Sequence, residues 1–234
     1  MEELFRLFDD IQLLSPDLRN YLISKLIPLK IAKKTTIQEE GQIADRIYFI
    51  EKGLVRAVRM EKGKPKTAWI MNEGNIIVSV ESFFLGIPSV EQIETLEDCE
   101  FQSFLRKDLY KAYEDYPEFN LHRAVILERY YPLAEFRNRM RQMKAEDKFK
   151  FLLLTQPELV TRKSAKDKLL ASYLGITPGT FSLQKNRFAN GHKATKGPKK
   201  KKSAGRKRGP NKGKKVAKKV AKKAAKKIRN RKKK

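Results

Sequence analysis

The chain has 234 residues, a formal net charge of +26 at pH 7 and a single cysteine. One cysteine cannot form an internal disulfide or a thiolate metal cluster, so the composition excludes a disulfide-stapled fold and an iron–sulfur sensor. The start MEELFRLFDD is acidic and amphipathic, and the apolar runs are short. We therefore expect neither a secretory signal nor a transmembrane helix, and a soluble intracellular protein.

The positive charge is concentrated at the C-terminal end. Of the 53 basic residues, 23 lie in residues 191–234, which contain no Asp or Glu, so the first 190 residues carry 30 basic and 27 acidic side chains. Those 190 residues are long enough to bury a core. Residues 191–234 hold almost no large apolar side chains and are expected to be disordered. The sequence thus predicts a nearly neutral folded body followed by a cationic tail.

Two short helices are predicted over residues 2–27. Apolar side chains recur there at helical spacing, and Ser15 followed by Pro16 marks the start of the second helix. Pro28 should end it. From residue 29 to residue 105 the apolar period changes to two, and glycine turns separate the short segments. This pattern predicts an antiparallel β-barrel or jelly roll, with one helical turn at Glu81–Leu85.

A helical pattern returns after the strands. A short helix should end at Pro117, and a longer apolar seam follows over residues 118–144, where we expect Pro132 to kink or interrupt the helix. The seam suits packing against the barrel or against a second subunit. His122 lies in this segment and is expected to be a packing or surface residue, because no second ligand motif for haem accompanies it. A further helix is predicted over residues 146–154.

Residues 165–189, AKDKLLASYLGITPGTFSLQKNRFA, predict two helices joined by a tight turn. Gly175 stands where such a turn needs a positive φ. Thr177 can cap the second helix, and Pro178 suits its first position. Phe181 falls on the inward face. This spacing is typical of a DNA-binding helix-turn-helix, and on these residues alone an ordinary corner between two helices is the alternative.

The order of helices, barrel, long helix and helix pair resembles the Crp/Fnr family of bacterial transcription regulators, which are cyclic-AMP receptor protein-like. The segments IYFIEKGLVRAV, IETLEDCEF and ASYLGITPGTFS carry the resemblance, which covers residues 1 to about 188. ASYLGITP together with SFFLGIPS most resembles the Bacteroidetes-type regulators.

The resemblance implies an α+β fold in four parts. These are an N-terminal double-stranded β-helix (jelly-roll) domain of cyclic-nucleotide-binding type over residues 1–116, a dimerisation helix over 117–145, a C-terminal helix-turn-helix over 146–190 and the disordered Lys-rich tail over 191–234. It also implies a homodimer that binds double-stranded DNA, with RNA polymerase as a further partner and the cytoplasm, at the bacterial nucleoid, as its place of action. We expect no cofactor, no membrane partner and no enzymatic activity, because the sequence has no paired His, no Ser or Cys nucleophile near a His, no metal-ligand spacing and no phosphate-cradling glycine loop.

In the family, a Gly-Glu pair opens the short helix of the β-domain, its Glu bonds the ribose hydroxyl, and an Arg about ten residues later pairs with the cyclic phosphate. Here Val80 precedes Glu81, the Arg position falls near Glu91, and residues 67–105 contain no Lys or Arg. A phosphate needs a cation or free N–H groups, so we predict that the chain does not bind cyclic nucleotides. The degenerate pocket, marked by Glu81, Ser82 and Glu91, should either support dimerisation alone or take an uncharged or cationic ligand.

The family's recognition helix carries a Glu and an Arg that read base edges. Gly179 and Leu183 stand at those positions here, so the resemblance implies weaker base discrimination. Gln184 falls where an inward apolar residue is expected, and we therefore expect the second helix to be rotated or short. The side chains that remain as candidates for DNA contact are Thr177, Thr180, Ser182, Gln184, Lys185 and Arg187.

The tail adds a second group of candidate DNA contacts. Arg206, Lys207 and Arg208 resemble an AT-hook, and the repeat KKVAKKVAKKAAKKI resembles lysine-rich tails of linker-histone-like proteins. Such a charge run is expected to bind nucleic acid phosphates, of DNA or RNA, or in a eukaryotic chain to act as a nuclear signal. A nucleoid-architectural protein is therefore the alternative to a regulator. A protein-interaction module that keeps the barrel without a ligand is a third hypothesis.

Overall fold

Residues 27–105 form two antiparallel sheets of four strands each. The strands are β1 (Ile27–Ile31), β2 (Thr36–Gln38), β3 (Arg46–Lys52), β4 (Val55–Glu61), β5 (Lys64–Met71), β6 (Ile76–Ile77), β7 (Gln92–Thr95) and β8 (Cys99–Leu105). One sheet has the order β1-β8-β3-β6 and the other β2-β7-β4-β5. The computed structural model describes residues 1–140 and 142–190 of the chain. Its jelly-roll-like sandwich confirms the predicted β-domain.

The described chain divides into two compact units, of which the first is Met1–Asn138 and the second begins at Arg139. The tail predicted over residues 191–234 lies outside the described residues. No helix within the described ranges is long and apolar enough to cross a membrane.

The two sheets face each other over an apolar interior. Side chains from both sheets, among them Ile50, Val55, Ile93 and Phe101, are almost completely buried there. Since successive strand residues point to opposite faces, the period of two in the sequence places these side chains inside. Burying them supplies the main free energy that holds the sandwich together.

The turn between β3 and β4 depends on Gly53, whose φ is +111°. A Cβ atom at this position would lie 2.4 Å from the Cys99 Sγ atom and 3.0 Å from the Asp98 carbonyl oxygen. Glycine is therefore required for two reasons, since the backbone is left-handed and the space beside it is already filled.

Five helices belong to the first unit. They are α1 (Glu2–Asp9), α2 (Pro16–Lys25), α3 (Val80–Leu85), α4 (Arg106–Asp115) and α5 (Phe119–Met140), the last of which ends just beyond the boundary of the unit. As predicted, Ser15 caps α2: its Oγ atom accepts a hydrogen bond from the Leu18 N–H at 3.4 Å. Phe8, Phe83 and Phe119 join the helices in one buried cluster.

Helix α5 runs through Pro132, so the interruption, one of the two outcomes expected here, does not occur. Pro132 leaves the carbonyl of Glu128 without an intrahelical partner. Both residues are exposed, so water can satisfy that carbonyl. His122 is a packing residue, as expected. Its ring is buried beside Phe8 and Phe119, and its Nε2 atom lies 3.0 Å from the Gln12 carbonyl oxygen.

The second unit contains α6 (Ala145–Thr155), a 3₁₀ helix (Pro157–Val160), α7 (Asp167–Tyr173) and α8 (Pro178–Ala189). Helices α6 and α7 both pack against α8. The Phe149 ring on α6 meets the Phe181 ring on α8 edge-on, with 5.3 Å between centroids. Helix α8 has 12 residues, so the expectation of a short second helix is wrong.

Candidate nucleic-acid interface and ligand cavity

A cavity of about 420 Å³ lies in the first unit, between the sandwich and α5. Much of its wall is apolar, with Trp69 and Met71 from β5 and Ile76 from β6. From α5, Tyr130 closes one side. Its hydroxyl oxygen accepts a hydrogen bond from the Ile76 N–H at 2.8 Å, and burial raises the pKa of this phenol above its ordinary value. The cavity is thus a largely apolar space with a few fixed polar groups.

Of the three residues predicted to mark the pocket, Glu81 and Glu91 line the cavity and Ser82 does not. Ser82 is completely buried within α3, where its Oγ atom accepts a hydrogen bond from the Ala44 N–H at 2.8 Å. It therefore anchors α3 to the segment before β3. Glu81 is exposed at the first turn of α3.

Glu91 is only 3% exposed, and its carboxylate is fully engaged. Its Oε2 atom accepts a hydrogen bond from the Arg59 Nε–H at 3.1 Å, and its Oε1 atom accepts one from the Trp69 indole N–H at 3.3 Å. Strands β4 and β7 run antiparallel, with Val58 opposite Gln92. Arg59 and Glu91 continue this register by one residue, which brings them together.

The cavity is also lined by cations that were not predicted from the sequence, since they come from outside residues 67–105. Arg59 reaches the cavity from β4, and Arg123 and Arg137 reach it from α5. The Arg123 guanidinium lies over the Tyr113 ring, 5.1 Å from the centroid. The sequence does contain a local pattern that predicts this face of α5. Arg123, Tyr130 and Arg137 are spaced seven residues apart and so lie on the same side of a helix.

The second candidate site is the surface of α8 in the second unit. The Thr177 Oγ1 atom accepts a hydrogen bond from the Thr180 N–H at 3.1 Å, so Thr177 caps the helix as predicted. Gly175 has a φ of +62°, as the turn before α8 was expected to require. Thr177, Ser182 and Arg187 are exposed, whereas Thr180 is half-buried.

Two predicted DNA contacts are already occupied within the second unit. Gln184 is 8% exposed and takes the inward position that an apolar residue was expected to fill. The Lys185 Nζ atom lies 2.6 Å from the Asp167 Oδ1 atom and ties α8 to α7. Burial removes Gln184 from our set of DNA contacts. Arg206, Lys207 and Arg208 lie outside the described residues.

Neither surface is a metal centre, since no group of His, Cys, Asp and Glu side chains in the described part of the chain is arranged to hold a metal ion. The two surfaces differ in chemistry. The cavity is a largely apolar space, while the α8 surface is open and carries hydroxyl and guanidinium groups.

One family model matches part of the first unit. Residues 28–116 match the model of the cyclic nucleotide-binding domain. No curated protein sequence matches the chain.

Among solved structures, the chain is similar to FixK2 from Bradyrhizobium japonicum, at 16% identity and a TM-score of 0.62, over 70% of this chain and 85% of FixK2. It is also similar to the c-di-GMP responsive global regulator CLP from Xanthomonas campestris, at 13% identity and a TM-score of 0.57, over 74% of this chain and 91% of CLP. These neighbours are Crp/Fnr-type transcription regulators. The chain shares their fold.

Proposed function

We propose that the protein is a DNA-binding transcription regulator of the Crp/Fnr type. The observation that carries this proposal is the surface of α8, which follows a left-handed turn at Gly175 and exposes Thr177, Ser182 and Arg187. Exposed hydroxyl and guanidinium groups on one short helix suit contact with DNA phosphates and base edges. Helices α7 and α8 act as the helix-turn-helix, and α8 lies in the major groove.

Base discrimination by α8 is weak. Gly179 and Leu183 occupy the positions at which the family resemblance places base-reading side chains, and neither can form a hydrogen bond to a base edge through its side chain. Both residues are exposed, so the positions themselves are available to DNA. The 23 basic residues of the tail then provide much of the affinity through phosphates, without regard to sequence.

The regulator works as a homodimer through α5. Leu127 and Tyr131 lie one helical turn apart and are 46% and 69% exposed. A second copy of α5 would remove these apolar side chains from water. A two-fold dimer would also place two copies of α8 about one DNA turn apart, on a palindromic site. RNA polymerase is the further partner, and the nucleoid is the place of action.

The cavity does not respond to cyclic nucleotides. The buried Glu91 carboxylate stands near the position where the family resemblance places the phosphate-binding Arg, and it neutralises Arg59 at 3.1 Å. A cyclic phosphate at this position would meet that carboxylate, and the Arg59 guanidinium is already paired with it. The other two arginines that line the cavity, Arg123 and Arg137, come from α5. Isothermal titration with cyclic AMP and cyclic GMP should give no binding heat. Micromolar binding of either nucleotide would refute this part of the proposal.

Footprinting of the full chain on genomic DNA fragments tests the regulator function itself. A discrete protected palindrome is the expected result. The second candidate, a nucleoid-architectural protein, is favoured by the concentration of 23 basic residues in the tail. Uniform coverage of the fragment without a discrete site would support that candidate and contradict the regulator.

A further inference from the structure

Lys148 carries a charge that no side chain in the described part of the chain neutralises. The residue is 6% exposed within α6. Its neighbour Lys150, by contrast, pairs with Glu146 at 2.7 Å. Burial lowers the pKa of the Lys148 ammonium, and burial is the only cause of that change, so no carboxylate offsets it. The Lys148 side chain is therefore nearly buried along its length, and its ammonium has no carboxylate partner.

The Lys148 side chain places its ammonium group next to the turn that precedes α8. Its Nζ atom lies 3.7 Å from the position that a Cβ atom on Gly175 would occupy. Gly175 is exposed, and the Nζ atom is not among the buried polar atoms of the described residues that lack a hydrogen-bond partner. The methylene chain of Lys148 is thus buried between the helices, while its ammonium group is accessible beside the Gly175 turn. Two residues further on, Thr177 caps α8.

The N-terminus of α8 adds hydrogen-bond donors next to this turn. The Thr177 hydroxyl oxygen accepts a hydrogen bond from the Thr180 N–H. The Gly179 N–H, by contrast, makes no hydrogen bond within residues 1–140 and 142–190. The two threonine hydroxyls lie 2.8 Å apart, so one of them can direct its proton outward. The first turn of α8 contains no acidic residue. A helix start of this kind favours an anion.

We infer that Lys148 and the N-terminus of α8 form a phosphate site that holds one phosphodiester of duplex DNA. The inference rests on the proposed function, because α8 is there the helix that meets DNA. A bound phosphate would supply the counter-charge that Lys148 lacks. Sequence patterns gave no sign of this site, since Lys148 stands among other charged residues at the start of α6.

The test compares neutral and charged variants of the full chain. Affinity for a fluorescent duplex is measured by anisotropy between 50 and 200 mM salt for wild type, Lys148→Met, Lys148→Gln and Lys148→Arg. One lost phosphate contact reduces the slope of log affinity against log salt by about 0.9, so wild-type affinity should fall roughly 3.5-fold more than that of the neutral variants over this range. Lys148→Arg keeps the charge and should keep the wild-type slope.

Two further measurements distinguish a phosphate-binding role of Lys148 from a purely structural one. Lys148→Met should melt at or above the wild-type temperature, because it keeps the buried apolar stem and removes a charge that has no carboxylate partner, yet it should bind DNA more weakly. Lys150→Met, the matched control on the same helix, should leave the slope unchanged. A folded neutral variant with the wild-type slope, or a Lys148→Arg protein that behaves like Lys148→Met, would overturn the inference.

The duplex for this test has an arbitrary sequence, since phosphate contacts do not depend on the bases. The two proposals can therefore fail separately. A discrete footprint with equal slopes for wild type and Lys148→Met would refute the phosphate site and keep the regulator. A reduced slope without any discrete footprint would keep the phosphate site and refute the regulator.

Discussion

The Glu91 carboxylate and the Arg59 guanidinium meet at 3.1 Å where β4 continues opposite the start of β7, and the two side chains differ widely in exposure. The Glu91 side chain is 4% exposed and the Arg59 side chain is 43% exposed. Removing Arg59 would leave a buried carboxylate unpaired, whereas removing Glu91 would leave a guanidinium that water can reach. The two substitutions should therefore lower the free energy of unfolding by different amounts.

We expect Arg59→Met to destabilise the protein by roughly 3 kcal/mol, because it leaves a buried carboxylate without its cation. Glu91→Gln should cost only about 1 kcal/mol, since water can solvate the Arg59 side chain and the new amide can still accept from Trp69. Urea unfolding measures both changes. The double variant should recover part of the loss, and a larger cost for Glu91→Gln than for Arg59→Met would contradict this account.

Gly53→Ala should be among the most damaging small substitutions in the sandwich. A Cβ atom would lie 2.4 Å from the Cys99 Sγ atom, at a φ of +111°. We expect a loss of more than about 2 kcal/mol, from strain together with displacement of a packed strand. Gly63 is the matched control, since its φ is also positive but a Cβ atom there meets nothing within 4 Å. Gly63→Ala should cost about 1 kcal/mol, and equal melting temperatures for the two variants would show that the close contact is unimportant.

Arg187→Ala should weaken DNA binding and lower the salt slope by about 0.9, because an exposed guanidinium on α8 is lost. Lys185→Ala should leave the slope almost unchanged. Its ammonium lies 2.6 Å from the Asp167 carboxylate, and the side chain is 14% exposed, so it is committed to the contact between α7 and α8. Salt titrations of the two variants on one duplex make the comparison, and equal slopes would argue against our assignment of Arg187.

Removal of residues 191–234 should flatten the salt dependence of DNA binding. The deleted segment carries 23 basic and no acidic residues. If six to ten of these charges contact phosphates, wild-type affinity falls roughly 10³–10⁵-fold between 50 and 200 mM salt, and the truncated chain should lose much less. Anisotropy titrations of both chains measure this difference. Identical salt slopes would mean that the tail does not contact DNA.

Tyr131→Glu should shift the protein from dimer to monomer, since it places a charge in the surface that a second α5 would cover. Sedimentation velocity measures the oligomeric state. Ile43 offers a control, because it is 55% exposed and lies between β2 and β3. Ile43→Glu should leave the dimer intact. If both variants sediment like the wild type, Tyr131 is not part of the dimer surface.

Local patterns in the sequence predicted the parts of the fold that depend on neighbouring residues. The strands follow from the period of two, and the Ser15 and Thr177 caps follow from side-chain oxygens placed before a helix. The pair of Arg59 and Glu91 could not be predicted, because it depends on the register of two strands that are 32 residues apart at this point. The same holds for Arg123, which enters the cavity only through the packing of α5. The periodicity of one strand does not determine which residue of a distant strand will lie opposite it.

Two residues, Pro132 and Gln184, occupy helix positions that their residue types usually avoid, and the helices form nevertheless. Pro132 conflicts with a helix interior, but both it and the carbonyl it frees are exposed, so α5 continues. Gln184 conflicts with an inward position, yet α8 keeps its full length around the buried Phe181. Solvation of the freed carbonyl accounts for the first case, and packing around Phe181 outweighs the preference of one residue in the second.

The burial of Cys99 has a practical consequence for spectroscopy. It is the only cysteine of the sequence and is 2% exposed beneath the Gly53 turn, so thiol reagents should not reach it in the folded protein. A single substitution such as Arg187→Cys or Leu127→Cys would then provide one reactive thiol without removal of the native one. Spin labels or fluorophores could be attached at either position in an otherwise natural chain, and distances across a dimer or toward DNA could be measured directly.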